Sequence, residues 1–191
     1  MLDHIIPSKT RITILELFYH NPENSYYLRK VVREVDKEVN SVKRELDILE
    51  KEKVLIKEKR LNKVFYSLNK AYVFYEEFLR IFTKTGTLSK LIYDNATKLG
   101  KIKFISMSLK FAKKTEIKED EVYLFFVGSV VVPEVTSIVS VVEKEFGKEI
   151  NYTVMSEDEF IFRKTNSDPF VWRFLKQPKI MLIGLEEDFV K

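Results

Sequence analysis

The stretch from Asp36 to Leu68, DKEVNSVKRELDILEKEKVLIKEKRLNKVFYSL, constrains the fold most, because its hydrophobic period changes within one run from that of a helix to that of a strand. Val39, Val42, Leu46 and Leu49 recur at steps of three and four. That spacing predicts a helix with those four on one face and Asn40, Ser41, Lys43, Arg44 and Asp47 on the other. After Lys53 the period drops to two: Val54, Ile56 and Glu58 alternate with Leu55, Lys57 and Lys59. Arg60-Leu61-Asn62-Lys63 then makes a turn, and Val64 to Leu68 returns as a second strand. One helix face packs and the other is presented, with a hairpin beside it.

The hairpin is basic. From Lys51 to Lys63 there are six basic residues (Lys51, Lys53, Lys57, Lys59, Arg60, Lys63) against two acidic ones (Glu52, Glu58), whereas the whole chain of 191 residues carries a net charge of only +4. A local basic patch beside a presented helix is the electrostatic footprint of a phosphate-binding surface; a solvated lysine-rich hairpin is the alternative that charge alone leaves open.

Upstream, Ser8 is placed to cap a helix carrying Ile12, Ile14, Leu15, Leu17 and Phe18, which Asn21-Pro22 stops. Ser25 to Leu28 reads as extended, and a second helix runs from about Leu28 to Val35 with Val31, Val32 and Val35 inward. Asp36-Lys37 turns the chain into the third helix. Three helices with a short turn between the second and third, closed by a hairpin, make a winged helix-turn-helix. The succession SKTRITILELF, YYLRKVVREV and NSVKRELDILEKEKVLIKEKRLNKVFYSLN resembles the winged-helix domains of ArsR-like and MarR-like transcription regulators over roughly the first 70 residues. The resemblance implies that the third helix enters the DNA major groove and the wing lies by the phosphate backbone. It assigns base-edge contacts to Asn40, Ser41, Lys43 and Arg44, and phosphate or minor-groove contacts to Lys59, Arg60, Asn62 and Lys63. Tyr27 and Lys37 are phosphate candidates at the ends of the turn.

Asn69 is the expected cap of a fourth helix from Lys70 to about Phe82, whose Tyr72, Tyr75, Phe78, Leu79 and Phe82 make it too aromatic to stand in water. In the regulators it resembles, the helix after the wing pairs with a second subunit, so these five are the expected dimer interface; packing on the same chain is the alternative. Thr85-Gly86-Thr87 is a hinge, and a further helix is expected from Thr87 or Ser89 through Ala96.

Beyond Gly100 strands alternate with helices: Ile102–Ser106, Val122–Val127, Ile150–Met155 and Lys179–Gly184 are strand-like, while Pro133–Phe146 and Phe170–Lys176 are helical. Ser156 opens a capping box, and Asp168-Pro169 sets a cap and a first-turn proline. This order, and FGKEINYTVMSEDEF followed by DPFVWRFLKQPKIMLIG, resembles minimal nucleotidyltransferase domains. Such domains use a Gly-Ser turn and two or three Asp residues to hold Mg²⁺ and a nucleoside triphosphate. Here Met107-Ser108 stands where Gly-Ser is required, and Glu121-Val122-Tyr123 where Asp-x-Asp is required, with Asp120 one position early. Gly128-Ser129 reads as a turn, Trp172 as core, and His4 and His20 as surface or capping groups.

There are no cysteines and only two histidines, so thiolate metal sites and disulfides are excluded and no metal or cofactor is expected. No apolar run reaches the roughly 18 residues of a membrane span and no signal segment is evident, so a cytoplasmic protein is expected. The sequence thus predicts an α+β protein: a winged helix-turn-helix domain over residues 1–69, connecting and dimerisation helices over 70–99, and a small α/β nucleotidyltransferase-like domain with a mixed sheet over 100–191. The expected function is a homodimeric regulator that binds double-stranded DNA and catalyses nothing, its second domain taking an effector, a nucleotide or a protein partner. An active nucleotidyltransferase targeted by the winged helix is the alternative.

Overall fold

The computed structural model describes Leu2 and residues 4–191, and the chain divides between Gly86 and Thr87 into two units. It is an α+β protein in both halves.

In the first unit, α1 (Lys9–His20) starts where the Ser8 hydroxyl accepts the Arg11 amide at 3.2 Å, which satisfies one of the orphan donors of the first turn. Ile12, Ile14, Leu15, Phe18 and Tyr19 are its buried residues. A two-residue strand, β1 (Tyr26–Tyr27), leads into α2 (Leu28–Val35). Asp36 adopts the left-handed conformation (φ 49°), which turns the chain sharply into α3 (Val39–Lys51), capped by the Glu38 carboxylate on the amides of Asn40 and Ser41. Strands β2 (Leu55–Arg60) and β3 (Lys63–Leu68) form the hairpin, and β1 joins them antiparallel in the order β1-β3-β2. Leu61 (φ 51°) makes the tip.

One expectation is corrected after the hairpin. Asn69 does not open a helix at Lys70: its side-chain amide donates to the Lys53 carbonyl at 2.8 Å and closes the base of the hairpin. The chain passes through turns, and α4 spans only Tyr75–Thr83. The aromatic face of α4 packs largely within its own unit, which is the alternative to the expected dimer interface. Tyr75, Leu79 and Phe82 are buried within the unit, and Tyr72 and Phe78 are half-buried beside them. Tyr19 of α1 lies 6.0 Å from Tyr75, 6.0 Å from Phe78 and stacks on Phe82 at 5.3 Å, while Tyr72 meets Phe78 at 5.9 Å. His20 Nε2 donates to the Phe82 carbonyl at 2.8 Å and ties the ends of α1 and α4. Tyr19 of the same chain thus supplies cover that these rings need. Of this segment, Val73, Phe74 and Ile81 remain exposed.

The second unit opens with α5 (Thr87–Asp94), so the expected connecting segment is shared out: α4 belongs with the first unit and α5 with the second. Then follow β4 (Gly100–Ser108), the single turn α6 (Leu109–Ala112), β5 (Leu124–Val130), α7 (Val132–Phe146), β6 (Tyr152–Met155), α8 (Glu157–Thr165), α9 (Pro169–Lys176), β7 (Lys179–Ile183) and α10 (Glu186–Val190). The sheet runs β6-β5-β4-β7; β5 and β6 are parallel and the other pairs antiparallel, which makes it mixed.

Leu124 to Val127 of β5 are all buried, so this strand is covered on both faces. Phe125 and Val127 pack in one cluster with Phe104, Phe160, Phe174 and Phe189. Ser156 and Asp168 cap α8 and α9 on the amides of Glu159 and Val171, as their spacing predicts. Gly128-Ser129 is not a turn: it lies inside β5 beside the irregularity between Ile102 and Phe104. There a Cβ on Gly128 (φ 139°) would fall 2.3 Å from the Lys101 carbonyl oxygen. Trp172 is half-buried and packs against the cluster that contains Phe125. Among the described residues no helix is long and apolar enough to cross a membrane.

Candidate functional site

Helix α3 is held by its inner face. Val42, Leu46 and Leu49 are buried as expected, and between them lies a charge, Glu45, only 2% exposed. Its carboxylate accepts the Ser8 hydroxyl at 2.7 Å and Arg11 Nε at 2.8 Å. Burial pushes this carboxyl up, but the bonds from Ser8 and Arg11 outweigh it and hold the group below the ordinary carboxylate range. One residue therefore clamps α3 to the first turn of α1. Glu45 was legible only as a charge three positions after Val42, on the apolar side of the periodicity.

The outer face is a shallow groove lined by Asn40, Lys43, Arg44, Asp47, Ile48 and Lys51, at helical steps of three and four. Lys43, Arg44 and Lys51 have no carboxylate within ion-pairing distance among the described residues. Two residues depart from the expected faces. Val39 is 44% exposed in the first turn, and Ser41 is half-buried with its hydroxyl donating to Thr10 Oγ1 at 3.2 Å. Ser41 thus joins α3 to α1 and is withdrawn from the presented face.

The hairpin is less uniformly basic than its composition. Arg60 donates to Glu58 at 2.7 and 3.0 Å and to Ser25 at 3.2 Å, and it lies 5.2 Å from the Phe65 ring. Lys57 pairs with Glu50 at 3.1 Å. Lys51, Lys53, Lys59 and Lys63 keep no carboxylate partner among the described residues. Lys63 Nζ instead sits 4.4 Å over the ring of Tyr27, the residue before α2, so two expected phosphate contacts meet at one point of the surface. Lys37 is exposed in the turn before α3, and Leu61 and Asn62 are exposed at the wing tip.

The positions matching the nucleotidyltransferase pattern lie where β4 ends and β5 begins. Met107 is fully buried, opposite Leu124 and Ile180 in the neighbouring strands. Ser108 is buried too, its hydroxyl accepting the Lys110 amide at 3.3 Å. Glu121 accepts Lys110 Nζ at 2.7 and 2.9 Å and the Lys118 amide at 3.0 Å, bonds that hold its carboxyl below the ordinary range. Asp120 is ion-paired with Arg173. Tyr123 donates its hydroxyl to the Thr115 carbonyl at 3.0 Å. Each carboxylate is thus turned to a different cation, and no group of three or more His, Asp or Glu is arranged to hold a metal ion among the described residues. Lys110 and Arg173, the partners that decide this, carry no sequence signal because they stand 11 and 53 positions away.

Comparison with protein-family models and with curated protein sequences gives no match. Among solved structures, a possible transcriptional regulator from Methanosarcina mazei Go1 is similar with a TM-score of 0.34 and 10% identity, over 49% of this chain and 80% of its own. Bordetella bronchiseptica BpsR, whose DNA binding is regulated by 6-hydroxynicotinic acid, is similar with a TM-score of 0.34 and 15% identity, over 51% of this chain and 80% of its own. Human N-acetylserotonin methyltransferase in complex with SAM is similar with a TM-score of 0.30 and 14% identity, over 61% of this chain and 36% of its own.

Proposed function

We propose that this chain is a cytoplasmic, DNA-binding transcription regulator that places α3 in the major groove and the β2–β3 wing along the phosphate backbone. The observation that carries this reading is the outer face of α3. Asn40, Lys43, Arg44 and Lys51 line it together, its cations are unneutralised, and Glu45 fixes the helix from behind. An α-helix fits the major groove, where Arg44 suits the paired acceptors of guanine and Asn40 the donor and acceptor of adenine. Lys43, Lys51, Lys59 and Lys63 are the phosphate contacts, with Lys37, Tyr27 and Asn62 at the margins; Arg60 contributes less because Glu58 already holds it.

The regulator acts as a homodimer, which presents two such helices about 34 Å apart to an inverted repeat. With the α4 aromatics buried in their own unit, the exposed Val73, Phe74 and Ile81 are the apolar side chains of that segment left for a second copy. The second unit is a nucleotidyltransferase-like domain that catalyses nothing and binds an effector or a partner. The separate pairing of Glu121 with Lys110 and Asp120 with Arg173 favours this over an active enzyme.

The test is selection of bound sequences from a randomised duplex pool by the native chain and by Arg44→Ala. The native chain is expected to enrich an inverted repeat, and the variant to lose about 1–3 kcal/mol of discrimination at one base pair of each half-site. Equal weakening on all sequences would remove Arg44 from base readout, and no binding at low salt would overturn the function.

A further inference from the structure

The second unit holds a cavity of about 830 Å³, within the roughly 300–1,000 Å³ of small-molecule sites. Lys103 and Phe104 of β4 and Val127 of β5 line it, so it lies over the middle of these two strands, and Ser108 and Glu121 are not in its lining. Phe104, Phe160 and Val127, all buried, form its floor. Trp172 stands in the wall, fixed by its indole N–H donating to the Lys164 carbonyl at 2.9 Å. The turn after β7 closes the other side, and only glycine fits there: a Cβ on Gly184 (φ 83°) would fall 2.4 Å from the Phe104 ring.

The charges of this cavity are unequal in their freedom. Lys103 is neutralised by Glu157 at 2.7 Å. Lys164 is half-buried; its ammonium donates to the Phe189 carbonyl at 3.2 Å, lies 5.5 Å from the Phe160 ring, and has no carboxylate partner among the described residues. Burial pushes its pKa down, the mark of a cation short of solvation. An ammonium has three donors, and one carbonyl occupies one of them. Two remain for a ligand that brings two acceptors and one negative charge. Asp188 and Lys191 also line the cavity; with Glu157 paired to Lys103, the lining sets three cations, Lys103, Lys164 and Lys191, against two carboxylates, Glu157 and Asp188, an excess of one positive charge that suits a singly charged ligand better than a doubly charged phosphate ester.

We propose that this cavity binds a small aromatic carboxylate, with its rings against Phe104, Phe160 and Trp172 and its carboxylate on Lys164. The proposal deepens the effector part of the function above and is tested without DNA, so its failure leaves the DNA reading to its own test. Trp172 is the sole tryptophan of the chain, and labelling the full chain with 5-fluorotryptophan gives one ¹⁹F signal, at the cavity wall. The probes are 2-naphthoate and its neutral analogue 2-naphthalenemethanol. The acid is expected to shift the signal saturably and to bind at least about ten-fold more tightly than the alcohol, the worth of one charge-assisted hydrogen bond. Lys164→Met abolishes that preference, whereas Lys103→Met together with Glu157→Gln, which removes an ion pair and leaves the net charge of the cavity unchanged, leaves it within about two-fold. No saturable shift, equal affinity of acid and alcohol for the native chain, or tighter binding of ATP than of 2-naphthoate at the same signal would each overturn the proposal. If Lys164→Met does not fold, the acid-against-alcohol comparison on the native chain decides it alone.

Discussion

Replacing Glu45 by Gln tests whether one buried carboxylate positions the presented helix. Glutamine keeps the shape and one carbonyl acceptor, so Ser8 retains a partner, but the charge facing Arg11 is lost and an amide N–H₂ replaces one acceptor. A hydrogen bond to a charged group contributes about 1.5–3 kcal/mol. Arg11 is 35% exposed and recovers part of its solvation, which puts the cost in the lower half, about 1.5–2 kcal/mol. For a unit of this size each kcal/mol moves the melting temperature by about 4–8 °C, so a drop of about 6–16 °C is expected at pH 7. Because its bonds hold the folded Glu45 carboxyl below the ordinary value of 4.5, its contribution is complete above that value and is lost as the pH falls through the lower, folded one. The Gln variant has no such loss, and the two melting temperatures should converge in acid. Calorimetric melting of both proteins between pH 7 and pH 3 measures this. A variant that melts within 2 °C of the native chain at pH 7, or a gap that does not narrow in acid, would refute the reasoning.

Three further outcomes follow from the same geometry. Lys59→Ala with Lys63→Ala should lower the salt slope of DNA binding by about 1 to 2 units, and Arg60→Ala by less because Glu58 shares its charge; an unchanged slope in the double variant would show that the wing does not touch phosphate. Phe82→Ala, which removes the ring stacked on Tyr19, should cost about 3–5 kcal/mol of stability while the mass measured by light scattering stays that of the native protein. Dissociation without loss of stability would mean that α4 is the dimer interface after all. Incubation with each radiolabelled nucleoside triphosphate and Mg²⁺ or Mn²⁺ should label no protein, RNA or small acceptor, and a labelled product that disappears in Glu121→Gln would restore the enzyme.

What the sequence determined by itself is local. The spacing of Val42, Leu46 and Leu49, the caps at Ser8, Ser156 and Asp168, the stop at Asn21-Pro22 and the alternation after Lys53 each depend on residues within a few positions. The elements they specify stand where that chemistry puts them. Tertiary structure decided everything that needed to know a distant neighbour. Ser41 left the presented face because Thr10, 31 positions earlier, accepts its hydrogen bond. Glu45 sits in the buried register because Ser8 and Arg11 satisfy it there. The aromatic residues of α4 declared a need for cover but not the identity of the cover, since a ring is desolvated as well by Tyr19 as by a second subunit. Asp120 and Glu121 are adjacent in the chain, yet Arg173 and Lys110 draw them to different partners. The cavity beside Lys164 is assembled from β4, β5, α8, α9 and the turn into α10. No window of sequence contains it, because periodicity reports which side of an element is apolar and only packing reports what that side meets.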